Sequence, residues 1–471
     1  MYTPLDSALE QPRAGRSAAL RLGALTTLGA LVLGASLAVR TLPTPAHGED
    51  QTSVAETAAT RTSFPRLPAE AVDAAQTAVR AKLEDRAFPG AALAVGAGPR
   101  VERAVGMGRI GWRDESAPVS PDTTMYDLAS LTKPVATATA VMLLAQDGKI
   151  RLDEPVRKYL PEFEGQFKDR VTWRHLLTHT SGLPGGAVIR GDTPDERLRR
   201  VLRTRIPDPP GREVEYTDLG YVALFAAAQR AAGEPLPRFL ERRVWKPLGM
   251  AHTRFSPGES CTACAPTLRL ADGEPFRGRP NDLLARRLGG VAGNAGLFST
   301  AHDLARFAAM LANGGELDGV RVFRPETVRE MMRQQPGAGR RTLGWVALCP
   351  DEPHSEEKPC ARPMAIGHNG WTGTSLWMDP SRGVWTVLLT NRTYDVRVAQ
   401  RSQDRWMQGV RLDVFRAAAE VPPASRRREI QLRSAAAPAP ARPEAVDGAV
   451  PGAAVTPAAI PHAGDTARVG R

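Results

Sequence analysis

Three motifs that would assign a common enzymatic mechanism are missing from this sequence. It contains no Gly-x-Ser-x-Gly, which argues against the nucleophile elbow of an α/β-hydrolase. It contains no His-Glu-x-x-His zinc-protease motif and no Gly-x-x-x-x-Gly-Lys-Ser/Thr phosphate-binding loop. His175 and His179 are spaced to share a helix face, but no Glu lies between them and no third ligand is evident, so we interpret both as structural. The sequence therefore predicts no metal site and no cofactor.

Cysteine is scarce, with four residues in a chain of 471. Cys261 and Cys264 form a C-x-x-C, but a zinc site would need two more soft ligands close by. These two cysteines either pair or remain thiols. Cys349 and Cys360 bracket an acidic, proline-rich loop between two predicted strands. In an oxidising compartment we expect them to form a disulfide, with Cα atoms less than about 7 Å apart.

Aromatic residues are also sparse at 6%, whereas apolar residues reach 42%, which is enough for a sizeable core. The net charge of +11 is spread along the chain, and the only basic run is Arg426-Arg427-Arg428 near the end. No zinc-finger spacing, RNA-binding motif or basic helix with interleaved aromatics is present. We therefore predict no nucleic-acid partner.

The N-terminal segment has the features of an export signal. Arginines precede an uncharged run at 22–39, whose 18 residues would span about 27 Å as a helix, just short of a hydrocarbon core of roughly 30 Å. The small residues Ala46 and Gly48 suit cleavage before Glu49. A cleaved signal peptide and a membrane anchor both fit, and the length of the run favours the anchor. Either one places the rest of the chain outside the cytoplasm, in the periplasm or at the cell surface.

The composition divides the whole chain into four segments. Residues 1–48 are the export segment, 49–65 a polar tether and 66–420 the folded body. Residues 421–471 are rich in Ala, Pro and Arg and lack periodic apolar positions, so we expect a disordered tail.

Within the body, strand patterns occur at both ends and helical patterns dominate between them. We expect strands at 91–97, 101–108, 342–348, 364–369, 372–378 and 383–390. We expect helices at 68–85, 130–147, 172–179, 192–204, 218–232, 300–313 and 394–419. This pattern predicts an α+β fold in which a sheet built from both ends of the body carries an inserted helical lobe.

One short motif carries nucleophile chemistry. In Ser130-Leu131-Thr132-Lys133, the serine and lysine lie one helical turn apart and share a face. A lysine beside a serine can activate it as a nucleophile, and free N–H groups at a helix N-terminus can stabilise an oxyanion. Alone, the motif also fits a helix cap next to an exposed lysine.

Two further motifs change that interpretation. Tyr216-Thr217-Asp218 lies about 85 residues downstream, and His368-Asn369-Gly370 lies in a predicted strand. The order Ser-x-x-Lys, Tyr-x-Asn/Asp and Lys/His-x-Gly resembles that of the penicillin-recognising serine enzymes, in particular the class C β-lactamase-related branch. The stretches 175–183 and 289–301 are similar to signature text of that branch.

The resemblance implies a β-lactamase/transpeptidase-like fold with an antiparallel sheet, and it implies roles for single residues. Ser130 would be the nucleophile, Lys133 would organise the proton network, and Tyr216 would relay the proton. The backbone N–H groups of Ser130 and Trp371 would form the oxyanion hole. Asp218, His368, Asn369 and Gly370 would contact substrate.

Four positions depart from the β-lactamase pattern. Asp218 stands where Asn is usual, and its carboxylate would pair with Lys133 and hold it charged, so Tyr216 is favoured as the base. His368 replaces a lysine, so we expect a site charge that titrates near pH 6.5. Asn369 stands where Thr is common, and Asn294 where related chains often carry His. These changes weaken the case for efficient β-lactam hydrolysis more than the case for acyl transfer.

The sequence therefore favours an exported serine hydrolase that forms an acyl-enzyme. Its expected substrates are amides or esters: cell-wall-derived D-amino-acid peptides, small esters or β-lactams, with carboxypeptidase or esterase activity ahead of β-lactamase activity. The expected partners are such a substrate, including peptidoglycan fragments, and the membrane through the N-terminal segment. The alternative is a catalytically silent module that binds cell-wall peptide or a protein. The oligomeric state is left open.

Overall fold

The computed structural model describes residues 64, 66–186, 188–349, 358–394 and 400–420. The export segment at 1–48, the tether apart from Phe64, and the tail at 421–471 lie outside these residues, so the expectations for them remain predictions. Within the described ranges, no helix combines the length and the apolar character that crossing a membrane requires.

The described residues form thirteen strands and ten α-helices. The strands are β1 (Gly90–Ala97), β2 (Arg100–Gly108), β3 (Tyr126–Asp127), β4 (Arg254–Phe255), β5 (Leu268–Arg269), β6 (Pro275–Phe276), β7 (Leu297–Ser299), β8 (Glu316–Leu317), β9 (Val320–Arg321), β10 (Val346–Leu348), β11 (Ala365–Asn369), β12 (Ser375–Met378) and β13 (Val384–Thr390). The α-helices are α1 (Ala69–Glu84), α2 (Thr139–Gln146), α3 (Trp173–Leu177), α4 (Pro194–Arg203), α5 (Asp218–Ala232), α6 (Leu236–Leu240), α7 (Leu283–Arg287), α8 (Ala301–Ala312), α9 (Pro325–Met332) and α10 (Gln400–Glu420).

The main sheet has six antiparallel strands in the order β10-β11-β12-β13-β1-β2. β1 lies between β13 and β2, and its residue Ala91 is paired with Thr390. The two ends of the body therefore meet in the middle of one sheet, as the sequence predicted.

Both faces of this sheet are covered, because every residue of β1 is buried. Successive side chains of a strand point to opposite faces. Leu93 and Val95 pack in a cluster with residues of α1 and α10, whereas Ala92 and Ala94 belong to the cluster that contains the apolar residues of α8. The sheet is thus a central layer between helices.

The helical lobe lies in sequence between β2 and β10. Its α2 is buried continuously from Thr139 to Leu144, as is typical of a helix in the centre of a core. Thr217 caps α5 by accepting a hydrogen bond from the N–H of Leu219 at 3.2 Å. This cap fixes Tyr216 just before the helix and Asp218 in its first turn.

Two disulfides are present. Cys349 at the end of β10 is bonded to Cys360 before β11, with Cα atoms 5.8 Å apart, as the sequence predicted. Cys261 and Cys264 are also bonded, with Cα atoms 5.4 Å apart, which decides the pairing that the sequence left open.

Candidate active site

Ser130 lies in a 3₁₀ turn, Ala129–Leu131, which leads into a π-helical segment, Lys133–Ala138, and then into α2. The sequence predicted one helix over this stretch, and the structure has a continuous helical path whose first turns are 3₁₀ and π. Such π turns are found frequently at functional sites. The path brings the two side chains together, with Lys133 Nζ 3.0 Å from Ser130 Oγ.

The ammonium group of Lys133 is completely buried and has three hydrogen-bond acceptors. Besides Ser130 Oγ, they are Oδ1 of Asp218 at 2.7 Å and the carbonyl oxygen of Asn294 at 3.1 Å. Burial lowers the pKa of Lys133, but Asp218 and then Tyr216 raise it, and the net pKa lies above the ordinary lysine value. Lys133 is therefore a charged donor to the serine oxygen, as the sequence predicted from Asp218.

Tyr216 lies over this lysine, with Nζ of Lys133 4.9 Å from the centre of its ring. The Arg341 guanidinium lies 5.3 Å from the same ring centre. The ring itself is about 39% exposed, so one side faces solvent while two cations lie near it. This setting suits a group that handles protons and developing negative charge beside Ser130.

His368 is placed next to Tyr216 by β11, with ring centres 6.3 Å apart. It is 5% exposed, and its Nδ1 lies 2.8 Å from the carbonyl oxygen of Asn369. Burial, together with the charges of Lys133 and Arg341, lowers the pKa of His368 to about 3. The expectation that its charge titrates near pH 6.5 is therefore wrong, because a neutral imidazole lies here throughout the physiological range.

The end of β11 is in close contact with the turn that holds the serine. A Cβ on Gly370 would lie 2.2 Å from the carbonyl oxygen of Leu128, so only glycine allows this approach. The side-chain oxygen of Asn369 accepts a hydrogen bond from Nε1 of Trp377 at 3.0 Å. Among the described residues, the N–H groups of Ser130 and Trp371 have no backbone acceptor, which leaves them available to an oxyanion.

Comparison with known proteins identifies the family in which this arrangement of residues occurs. Residues 75–408 match the Beta-lactamase family. A protein of Salmonella agona, provisionally named D-alanyl-D-alanine carboxypeptidase, is 31% identical, and the match covers 58% of this chain and 70% of the relative. This chain belongs to the Beta-lactamase family.

Solved structures show the same fold. EstCE1, described as a hydrolase with promiscuous acyltransferase activity, is 22% identical with a TM-score of 0.58, over 74% of this chain and 98% of the neighbour. A class C β-lactamase from Rhodobacter sphaeroides is 21% identical with a TM-score of 0.56, over 72% and 99%. The predicted resemblance and fold are thus confirmed, and the family assignment makes this chain a serine hydrolase of the β-lactamase type.

In this member of the Beta-lactamase family, the site opens into a pocket of about 360 Å³. Five of its lining residues were predicted as site residues: Tyr216 as the proton relay, Trp371 as an oxyanion donor, and His368, Asn369 and Gly370 as substrate contacts. The lining also includes Ser130 and five residues that sequence reasoning missed: Arg341, Val346, Arg392, Gln408 and Arg411. Asp218, which was predicted as a substrate contact, is not among the described lining residues, and its carboxylate accepts a hydrogen bond from Lys133.

Three arginines, Arg341, Arg392 and Arg411, line this pocket. The Arg392 guanidinium lies 4.8 Å from the ring centre of Trp371, and an Nη atom of Arg411 donates to the carbonyl oxygen of Gly370 at 2.6 Å. No local pattern marks these arginines in a sequence that is rich in arginine throughout. The positions of Arg392 and Arg411 follow from contacts of the segment after β13 with Thr372 and of α10 with Gly370.

The two histidines of the 175–183 stretch have different roles. His175 takes part in the capping box of α3 with Thr172, which is the structural role that the sequence predicted. His179 instead packs on Tyr216, with ring centres 4.5 Å apart, and its Nδ1 accepts the N–H of Thr217 at 3.2 Å. Within the described part of the chain, no cluster of residues that could hold a metal ion is present.

Proposed function

We propose that this protein hydrolyses small amides or esters that carry a carboxylate, through an acyl-enzyme on Ser130. The observation that carries the proposal is the set of bonds from Lys133 Nζ to Ser130 Oγ and to Asp218, beside Tyr216 and at the base of an arginine-lined pocket. A binding module without catalysis would not need a buried ammonium group aimed at a serine hydroxyl.

In the acylation step, Ser130 Oγ attacks the carbonyl carbon, and its proton passes to the Tyr216 oxygen, which acts as a phenolate. The N–H groups of Ser130 and Trp371 bind the oxyanion, and the charged Lys133 stabilises the attacking oxygen. Tyr216 then gives the proton to the leaving nitrogen or oxygen as the C–N or C–O bond breaks. Water attacks the acyl-enzyme by the reverse proton path and releases the acid.

The charge of the pocket supports the substrate class. Since His368 is neutral, positive charge at the substrate side comes from Arg341, Arg392 and Arg411. Guanidinium groups bind carboxylates with two parallel hydrogen bonds and keep their charge at all working pH values. Together with a relative named for D-alanyl-D-alanine carboxypeptidase, this favours peptides ending in a D-amino acid over neutral esters.

An extracytoplasmic location accompanies this substrate. Both disulfides support an oxidising compartment, and cell-wall peptides are found outside the cytoplasm. Delivery by the N-terminal segment, whether as anchor or as cleaved signal, remains part of the proposal.

The test labels the protein with a fluorescent penicillin and with a fluorophosphonate. We expect both probes to label wild type at Ser130 and neither to label Ser130→Ala, while the exposed Ser260→Ala is labelled like wild type. Absence of labelling in folded wild type would favour the silent binding module instead.

Turnover of a peptide ending in D-Ala-D-Ala, its C-terminal amide, nitrocefin and a p-nitrophenyl ester then separates the substrates. Arg392→Gln should raise KM for the free-acid peptide about tenfold to a hundredfold, the worth of a charged hydrogen bond, and leave the amide unaffected. Arg113→Gln, at an exposed position, is the matched control. Equal losses for acid and amide would contradict carboxylate recognition.

A further inference from the structure

The strand before Ser130 carries a buried carboxylate that the mechanism above does not use. Asp127 ends β3, is 1% exposed and is not among the described residues of the pocket lining. Burial is the main cause that raises its pKa, to about 6. Burying a carboxylate costs free energy unless hydrogen bonds compensate, so the contacts of Asp127 should show why it is buried.

One carboxylate oxygen holds the backbone next to the nucleophile. Oδ1 of Asp127 accepts the N–H of Ala129 at 2.9 Å. Ala129 has φ of 47°, in the left-handed region that residues with a Cβ rarely adopt. Since Ala129 directly precedes Ser130, its conformation sets the direction of the Ser130 N–H and of the helical turn that follows.

The other oxygen holds the segment behind Lys133. Oδ2 of Asp127 accepts the N–H of Asn281 at 2.6 Å. The next residue, Asp282, accepts a hydrogen bond from Nδ2 of Asn294 at 3.0 Å, and the Asn294 carbonyl accepts from Lys133. Three hydrogen bonds, linked through the covalent structure of 281–282 and of Asn294, thus connect Asp127 to the catalytic ammonium group.

The backbone carbonyl of Asp127 is hydrogen-bonded to the residue that follows Trp371, the second donor of the proposed oxyanion hole. The carbonyl oxygen of Asp127 accepts a hydrogen bond of 2.6 Å from Oγ1 of Thr372, and Thr372 directly follows Trp371. Oγ1 of Thr374 similarly donates to the carbonyl oxygen of Leu128 at 2.9 Å. The two N–H groups of the oxyanion hole therefore lie on segments that are both tied to Asp127.

We propose that Asp127 is a positioning residue for the oxyanion hole, which holds Ala129 in its left-handed conformation and fixes the segments that carry Ser130 and Trp371. This inference rests on the proposed acyl-enzyme function. Asp127 acts on the rate of acylation rather than on carboxylate binding, because it is not among the described residues that line the pocket.

The test measures the rate constant of acylation by a fluorophosphonate and kcat and KM on the best substrate. In Asp127→Asn the amide nitrogen faces one of the two N–H donors, so acylation and kcat should fall by about tenfold to a hundredfold, as for a small misplacement of a catalytic group, with KM little changed. Asp303→Asn is the matched control. Asp303 is equally buried and accepts a hydrogen bond of 2.8 Å from the N–H of His252, and it is not among the residues that line the pocket. It should lose stability without losing acylation rate.

A second substitution distinguishes positioning from general stability. Glycine adopts the left-handed conformation without penalty, so Ala129→Gly added to Asp127→Asn should recover part of the lost rate, with Ala129→Gly alone as the reference. An unchanged rate in folded Asp127→Asn, or a loss that Ala129→Gly does not relieve and that comes with a raised KM, would overturn the proposal.

Two further outcomes are informative. If Asp127→Asn does not fold, Thr372→Val leaves the carboxylate intact and removes the tie to the Trp371 segment, so it should slow acylation, and a wild-type rate there would equally overturn the proposal. Wild type that folds but is not labelled at Ser130 would count against the proposed function rather than against the role of Asp127.

Discussion

At the scale of single residues, the charges of the site are distributed differently from what the motifs suggest. The position expected to carry a titrating cation, His368, is neutral, and the permanent cations are Lys133 at the serine and the arginines of the pocket. A carboxylate substrate would thus meet the same charge across the working pH range. The decline in activity expected from a histidine titrating near pH 6.5 should be absent.

The neutral state of His368 has a consequence for stability. Its folded-state pKa of about 3 lies below the unfolded value near 6.5, so the unfolded chain takes up a proton that the folded chain does not. The contribution of His368 to the free energy of unfolding is therefore fully present above about pH 6.5 and is lost as the pH falls towards 3. We expect His368→Gln to weaken the fall in the free energy of unfolding between pH 6.5 and 4.5, as measured by urea unfolding. The exposed His302→Gln serves as control, and an identical pH dependence in His368→Gln and wild type would contradict the prediction.

Tyr216 provides the second prediction at this scale. Tyr216→Phe keeps the ring on His179 and the bond from Lys133 to Ser130, but it removes the oxygen that carries the proton. Turnover should fall by about 10²–10⁴-fold, the usual worth of a positioned acid–base group, while covalent labelling stays slow but measurable. Steady-state kinetics and labelling time courses check this. A rate equal to that of wild type would remove Tyr216 from the mechanism.

At the scale of elements, the sequence predicted long segments well and short ones poorly. α5 begins at the predicted residue, because Thr217 is a strong N-cap before an apolar run. The strands of the small sheet β3-β7-β4 have two or three residues each, which is too short for a period to show, so that sheet was missed. The strand expected at 372–378 begins at Ser375, because the turn before it is fixed by contacts with Leu128 rather than by local preference.

The residues of the candidate site also differ in whether a local pattern in the sequence marks them. Ser130, Lys133 and Tyr216 could be found because their spacing belongs to ordered motifs. Arg392, Arg411 and Asp127 could not, since their roles depend on contacts between segments far apart in the chain.

The disulfide between Cys349 and Cys360 stabilises the connection from β10 to β11, the strand that carries His368. Closing a loop of this length contributes about 3 kcal/mol in the chain-entropy model. Replacing both cysteines by Ala should lower the free energy of unfolding by about this amount in urea titrations. Intact mass after alkylation first establishes that wild type carries no free thiol at these positions. A double variant as stable as wild type would show that β10 and β11 do not need the bond.

At the scale of the whole molecule, the site is assembled from distant parts of the chain. The helical lobe contributes Ser130, Lys133 and Tyr216, and β11 contributes His368 and the segment with Trp371. The centre of the sheet, β1 with β13, is buried on both faces and joins the two ends of the body.

This arrangement predicts a pattern of hydrogen exchange. Amides of β1 and β13 should exchange last and together, because their mutual bonds open only when the sheet as a whole opens. The two-residue strands β8 and β9 should exchange much earlier. Mass spectrometry of peptides covering 90–97, 384–390 and 316–321 measures this directly. Early exchange in β13 alone would show that the sheet opens from its C-terminal strands.

The pairing of Ala91 with Thr390 also governs the order of events during synthesis. A chain emerging at about 5–20 residues per second presents β1 and β2 well before β13 exists to complete the centre of the sheet. For much of that interval the serine and lysine have been made, but Trp371, the proposed second donor to the oxyanion, has not. Contacts between such distant segments also slow the final assembly. The proposed catalytic site is therefore complete only when nearly the whole body has been delivered, so we expect a chain truncated before Trp371 to be inactive.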